Sequence, residues 1–425
     1  MEAIKSFPFR ENFIKLRIKI NFLFNYLIIL YAFVIPISVS KSQDLTSVLI
    51  PLWIISFEYK NLLTFAKESR LFQTILLLTL LILFSYLWST DVTTTPTHYY
   101  YQDMYDYFYR YIVFFLFPII MILTKLRKEF IPLVISSFIF AMFINEIISY
   151  GIFFELWTTS RGSVYNPVPF HKNHITYSAF LGFTVLLSIY RFSHIKNNYI
   201  KVFYLLFITT MSINLFMSAG RTGQFSLLIT SVILSLIYFK KSIKLIIFSF
   251  SILVIAYFLA FTNMATFNTR VNQAKQSIEN IIDNKNFDTS LGTRIMAFDT
   301  IPYLINANNI LFGVGMGDKP SYVSTTLKKD YPHRLNNFDI HGFLHNSHLE
   351  MLVSNGLAGL FLYFSIFYFL FTTAIKDTFI RYISYTLSIY ILCFGMVSDI
   401  FFFRAIMSLF GLFLAIVILQ NQSEE

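Results

Sequence analysis

The sequence predicts an all-α polytopic membrane protein of about twelve transmembrane helices, and three observations lead there. First, 56% of the 425 residues are apolar and only 13% are charged, whereas a soluble domain carries roughly 25% charged residues. At a mean hydropathy of +0.61, one water-solvated core cannot hide so many apolar side chains, and the bilayer must be part of the solvent. Second, the apolar residues gather into runs of about 20, the length a hydrocarbon core requires. Third, basic residues recur between the runs on alternate loops.

The runs lie at about residues 20–39, 45–57, 71–88, 108–124, 130–150, 173–190, 202–218, 222–239, 243–262, 347–372, 382–398 and 404–420. The first follows Lys15, Arg17 and Lys19, and no small-x-small cleavage site comes after it, so it reads as a retained span and not a signal peptide. The second is short, and the last two nearly fuse around residues 398–404. With the N-terminus inside, the cytoplasmic segments hold nineteen cations: Lys5, Arg10, Lys15, Arg17, Lys19, Lys60, Lys67, Arg70, Lys125, Arg127, Lys128, Arg191, Lys196, Lys201, Lys240, Lys241, Lys244, Lys376 and Arg381. The short connections on the opposite side hold five, Lys41, Arg161, Lys172, Arg221 and Arg404. That bias sets the orientation, with both termini cytoplasmic. It also accounts for the formal charge of +10 without nucleic acid. Cys393, the only cysteine, lies inside an apolar run, which excludes an intrachain disulfide.

Three segments follow: residues 1–262 with spans one to nine, a long external loop over 263–346, and 347–425 with spans ten to twelve and a short cytoplasmic tail. In the loop, Val271, Ala274, Ile278 and Ile282 recur at helical spacing, which predicts an amphipathic helix over 270–284 lying on the bilayer or the bundle. Thr289 or Ser290 caps a second helix running to about residue 305. Residues 306–309 end it before a glycine-rich turn.

Five arginines fall at or near the outer face: Arg110, Arg161, Arg221, Arg294 and Arg404. Arg221 and Arg404 sit in connections too short to leave the membrane surface, where an ionisable group marks a functional site by default. A guanidinium offers bidentate bonds to phosphate oxygens. Taken singly, each arginine is as readily explained by snorkelling or by pairing with Asp103, Asp106, Asp299 or Asp399; five at one face imply an anionic ligand. The histidines His333, His341, His345 and His348 also cluster, the last three at spacings that share a helical face. Zinc needs such a set, but no cysteine is near, only Glu350 offers a carboxylate, and no Asp-x-Asp pair occurs in the chain. No metal or other cofactor is expected. A histidine acting as general base needs only an orienting partner and a pKa near ambient pH; any one of the four alone reads more readily as an interfacial side chain with a wet tip.

The segment from His345 decides between these readings. His345, Asn346, nine residues, Gly356, two residues and Gly359 together resemble the signature of the O-antigen ligase family and its O-oligosaccharyltransferase relatives. Ser218-Ala219-Gly220-Arg221-Thr222 resembles the family's Ser-x-x-Arg element. Leu291-Gly292-Thr293-Arg294 with Phe298 resembles its loop-arginine helix, and residues 309–317 its glycine-rich turn. That turn follows no βαβ strand, so a nucleotide-loop reading fails its own context. The resemblance implies a glycosyltransferase fold of the C type with its active site at the periplasmic face of a bacterial inner membrane. It further implies inverting, metal-independent transfer of a glycan from undecaprenyl pyrophosphate to a sugar hydroxyl of lipid A–core. The implied catalytic residues are His345 as base with Arg221 and Arg294 on the diphosphate. Arg161, Arg404, His348, His341 and Asn346 are expected to bind substrate, with His341 and His348 as alternative bases. Gly356 and Gly359 read as helix packing. The expected partners are the lipid-linked donor, the lipid A–core acceptor and membrane lipids.

An O-antigen or capsule polymerase shares donor and topology and is the nearest rival. A lipid-linked glycan transporter is a different class. Transporters show paired broken helices at mid-membrane and an internal two-fold repeat, and here the polar residues gather at one face with no repeat.

Overall fold

The computed structural model describes residues 8–56, 59–89, 104–159, 162–170, 173–240, 242–284, 287, 289, 291–330 and 344–421. Helices α1 (Pro8–Ile37) and α2 (Val39–Ile55) lead into α3 (Tyr59–Glu68), α4 (Arg70–Ser85) and α5 (Met104–Tyr111). A π-helical turn, Ile112–Leu116, continues α5 into α6 (Phe117–Lys125). Then come α7 (Ile131–Phe153), α8 (His174–His194), α9 (Asn198–Met217), α10 (Arg221–Tyr238) and α11 (Ile243–Asn263). The long loop carries α12 (Ala265–Asn284), α13 (Gly292–Leu304) and α14 (Lys319–Asp330), and α15 (Ser347–Thr372), α16 (Thr378–Val397) and α17 (Arg404–Asn421) complete the bundle.

This is an all-α polytopic membrane protein. Among the described residues nine helical stretches are long and apolar enough to cross a bilayer, and each matches a run read from the sequence. A tenth run is α11, which has 21 residues. The other two differ in detail. Helix α2 has 17 residues, about 25 Å at 1.5 Å per residue, slightly less than a hydrocarbon core. The run at 71–88 is the second limb of a bent pair, Asn61–Glu68 and Arg70–Ser85, which meet at 99°. Ser69 causes the bend: its hydroxyl caps α4 at Phe72 N–H, while Gln73 Nε2 bonds the last carbonyls of α3 at Ala66 and Lys67. Both orphaned helix ends are thereby satisfied at the corner.

Helix α17 is the centre of the bundle, with every side chain from Ala405 to Leu419 buried. A helix apolar on all sides has to be enclosed. Phe413 packs against Phe138 of α7 and Phe183 of α8, with ring centroids 5.1 and 4.8 Å apart. On the outside, Phe361, Tyr368, Leu206 and Phe250 are exposed, as lipid-facing positions must be.

Helices α8 and α10 approach backbone to backbone. A Cβ on Gly223 would lie 2.3 Å from the Ser178 carbonyl, and one on Gly220 2.2 Å from Ser178 Oγ and 2.5 Å from His174 O. Small residues permit this contact in a membrane bundle. It places Arg221, the first residue of α10, beside His174, the first of α8.

The glycine-rich turn and the signature on α15 form one interlock. Helix α15 breaks at Gly356, whose φ is 63°, leaving two backbone donors and two acceptors without helical partners. The turn supplies all four bonds. Val353 and Ser354 O accept from Val314 and Gly315 N–H at 3.0 and 2.9 Å, and Leu357 and Ala358 N–H donate to Ile310 and Leu311 O at 2.8 and 3.0 Å. The fit leaves no space for side chains. A Cβ on Gly356 would lie 2.3 Å from Leu311 C, and one on Gly313, whose φ is 70°, would lie 2.3 Å from Ser354 C.

Candidate active site

Three loop and helix ends converge on the last residues of α16. A helix C-terminus exposes carbonyls with no partner inside the helix. Here three consecutive ones each receive a donor, two of them from the candidate residues Asn346 and Arg294 and one from Ser347. Asn346 Nδ2 donates to Met396 O at 3.0 Å, Arg294 Nε to Val397 O at 2.7 Å, and Ser347 Oγ to Ser398 O at 3.0 Å. The negative end of the α16 dipole also favours a cation there. Asn346, Ser347 and the loop helix bearing Arg294 are thus held by adjacent peptide groups.

Beside this junction lies a cavity of about 240 Å³ lined by His174, Arg221, Arg270, Arg294 and Val397, among others. Arg221 Nη2 and Arg270 Nη1 both donate to one neutral acceptor, Gln273 Oε1, each at 3.1 Å. Among the described residues neither Arg221 nor Arg270 has a carboxylate partner. Arg294 lies outside the spans, and its burial, followed by the nearby Arg221 charge, lowers its pKa from the ordinary guanidinium value. The guanidinium remains charged at any physiological pH, so the like charges are held together at a cost that a bound anion would offset. If that is so, Gln273→Glu supplies the anion internally. We expect the variant to fold at least as stably as wild type and to bind the diphosphate donor that the sequence resemblance implies more than about tenfold more weakly, as losing a charge-assisted contact implies. A donor titration in nanodiscs checks this, and unchanged affinity contradicts it.

Around His345 the backbone is fixed on both sides. His345 is exposed and has a φ of 50°, uncommon for a residue with a side chain. Asn346 caps α15, its Oδ1 accepting from His348 and Leu349 N–H at 2.9 and 3.2 Å. With Nδ2 on Met396, that amide serves to hold the helix start. His348 turns into the bundle. Its ring stacks on Phe364 at 5.2 Å, and Nε2 lies 3.3 Å from Leu392 O. Its ring is therefore held between α15 and α16, and His348 is not among the residues lining the cavity of Arg221, Arg270 and Arg294. Arg404 also stands apart from the cavity, its Nη1 bonded to Gln43 Oε1 at 3.1 Å and its guanidinium over the Phe114 ring. Arg110 lies on that side too, donating to Phe402 O. Arg161, His333 and His341 lie outside the described residues. No cluster of three or more metal-ligating side chains occurs among the described residues.

Several residues at this site were not singled out from the sequence. Arg270 and Gln273 lie on α12, which begins at Ala265, five residues before the predicted amphipathic helix. His174 opens a span, and α14 was not anticipated. Lys319, at the start of α14, forms a buried ion pair with Glu350. Asp399, between α16 and α17, is also buried, and its Oδ1 accepts from Phe401 N–H at 3.0 Å. Burial, then the Glu350 charge, raises the Asp399 pKa well above the ordinary carboxylate range, with Lys319 opposing. The folded protein therefore holds this proton more tightly than the unfolded chain does. Asp399's stabilising contribution is full below the ordinary carboxylate pKa and declines as pH rises from there to the raised value. The melting temperature of Asp399→Asn should accordingly fall less than that of wild type over this interval; parallel curves would contradict the assignment.

Fold and site together define a multi-pass membrane protein with a cavity lined by three guanidinium groups beside the C-terminus of α16. Residues 205–364, from within α9 to within α15, match the family model described as O-antigen ligase. Members of this family are glycosyltransferase-like enzymes acting on lipid-linked glycans, so the match supports a function of the general O-antigen ligase or polymerase type. Arg221, Arg270, Arg294, Lys319, His345 and Gly356 all fall inside the matched stretch. No curated protein matches the chain.

Proposed function

We propose that the protein is an O-antigen ligase, transferring a glycan from undecaprenyl pyrophosphate to a sugar hydroxyl of lipid A–core at the periplasmic face of a bacterial inner membrane. The observation that carries this reading is the run of carbonyls at residues 396–398, which ties the His345 segment and Arg294 together beside a pocket of three arginines. Breaking the anomeric bond expels a diphosphate, and the charge developing on it is stabilised by Arg221, Arg270 and Arg294. Fixed donors aimed at developing charge in a water-poor site are the strongest single source of catalysis. The attacking alcohol must lose a proton as the new bond forms, and His345 takes it as general base. His345 is the stronger candidate because His348 is packed between Phe364 and Leu392 O. Attack opposite the leaving diphosphate inverts the anomeric centre and needs no metal.

In this scheme residues 1–262 and 347–425 form the membrane body, and 263–346 the periplasmic loop that brings Arg270 and Arg294 to the donor. The complete His345–Gly359 signature favours ligase over polymerase. The test is a deletion strain complemented with wild type, His345→Ala or Arg294→Ala, scored by lipopolysaccharide ladders and by assay of lipid-linked glycan. The ligase reading predicts full-length glycan accumulating on undecaprenyl pyrophosphate over a bare core in both mutants. Single-repeat glycan attached to the core would instead identify a polymerase, and normal ladders would remove both residues from the reaction.

A further inference from the structure

A buried ion pair at the site touches the peptide that leads into His345. The Lys319 and Glu350 side chains are only 7% and 8% exposed. Glu350 uses its two oxygens differently: Oε2 meets Lys319 Nζ, and Oε1 accepts the N–H of Leu344 at 2.7 Å. Lys319 is itself delivered by the interlocked turn, since its N–H bonds Gly315 O, and Gly315 N–H bonds Ser354 O. On the far side of His345, Asn346 is held by Met396 O.

We propose that Lys319 and Glu350 are positioning residues for His345: the carboxylate, held in place by the lysine, anchors the Leu344 amide and so fixes the backbone on which the histidine stands. This rests on the reading of His345 as the base. A side chain in left-handed backbone persists only where its surroundings over-determine it, and here the residues before and after it are both anchored. A buried ion pair gains little over apolar side chains of similar volume. What apolar side chains cannot do is accept the Leu344 N–H, and the essential feature is therefore the acceptor, not the charge.

That distinction defines the experiment. Lys319→Met/Glu350→Gln removes both charges and keeps an acceptor, whereas Lys319→Met/Glu350→Leu removes both. The purified full-length variants are assayed in nanodiscs with undecaprenyl-pyrophosphate-linked glycan extracted from the host strain. The Gln pair should keep kcat within about threefold of wild type, while the Leu pair should lose about 100-fold in kcat at unchanged donor KM, the size expected for a misplaced catalytic group. Equal kcat in the two pairs, whether high or low, overturns the proposal. Hydrogen exchange at the Leu344 amide gives a second measurement that does not depend on activity. Protection in wild type and the Gln pair is expected, and wild-type exchange as fast as that of an open amide overturns the proposal even if the Leu pair fails to fold. An active His345→Ala protein would refute the base reading separately, with Leu344 exchange still reporting on the anchor.

Discussion

Arg221→Ala is expected to lower glycan transfer by about 100- to 1,000-fold, roughly 2.7–4 kcal/mol of transition-state stabilisation, the range found for losing one oxyanion donor. The fold should survive. Among the described residues the Arg221 guanidinium bonds only the side-chain amide of Gln273, and the close packing of α8 on α10 depends on Gly220, Gly223 and Ser178. Melting temperature should therefore change little while single-turnover rate collapses. Arg221→Lys should recover only part of the rate, because an ammonium cannot make the paired, planar bonds that a diphosphate oxygen pair accepts. Arg294→Ala is less clean, since Arg294 Nε also ties the loop to Val397 O, and rate and stability should fall together. Near-wild-type transfer by Arg221→Ala would remove this arginine from the chemistry.

Gly356→Ala should have the largest structural effect. A φ of 63° costs a residue with a side chain about 1–3 kcal/mol, and forcing extra volume into a packed site costs about 1–3 kcal/mol more. The new Cβ would stand 2.3 Å from Leu311 C, and moving that backbone breaks up to four hydrogen bonds of the interlock. The total is a large fraction of the roughly 5–15 kcal/mol by which proteins are stable. We expect most of the variant to be lost from membranes or to melt far below wild type, as read by fluorescence-detected size exclusion of a tagged protein. Wild-type yield and melting would contradict the interlock. Gly359, one turn on, is constrained by the same break, because a Cβ there would lie 2.3 Å from that of Asn355.

The spans were legible because each is a local property, an apolar run bounded by cations. The departures occur where local side chains redirect a run, as Ser69 and Gln73 do at the corner of α3 and α4. Arg221 stood out in the sequence because a cation in a tight outer connection is costly, and Arg294 because residues 291–298 resemble a loop-arginine helix; both line the cavity. Arg270 and Gln273 did not, because on an amphipathic loop helix they look like ordinary solvated positions; only the docking of α12 brings them to Arg221. The turn at 309–317 and the signature at 345–359 were each visible, but not that one supplies the backbone bonds missing in the other. The Lys319–Glu350 pair was hidden for the same reason: its partners are 31 residues apart, and although Glu350 lies within the signature, nothing in the sequence marks Lys319 as its partner. Asn346 was expected to touch substrate; in the fold its amide caps α15 and bonds Met396 O, a role that single-residue pattern reading does not distinguish from binding.

The central claim is a division of labour, with arginines holding the diphosphate and His345 moving the proton. The measurement that tests it most directly is donor affinity and single-turnover rate, taken side by side on purified His345→Ala and Arg221→Ala in nanodiscs with undecaprenyl-pyrophosphate-linked glycan. The account predicts that His345→Ala binds donor as wild type does but transfers at least about 100-fold more slowly, the lower range for general base catalysis, whereas Arg221→Ala loses both donor affinity and rate. Normal turnover by His345→Ala, or full donor affinity and rate in Arg221→Ala, would contradict it.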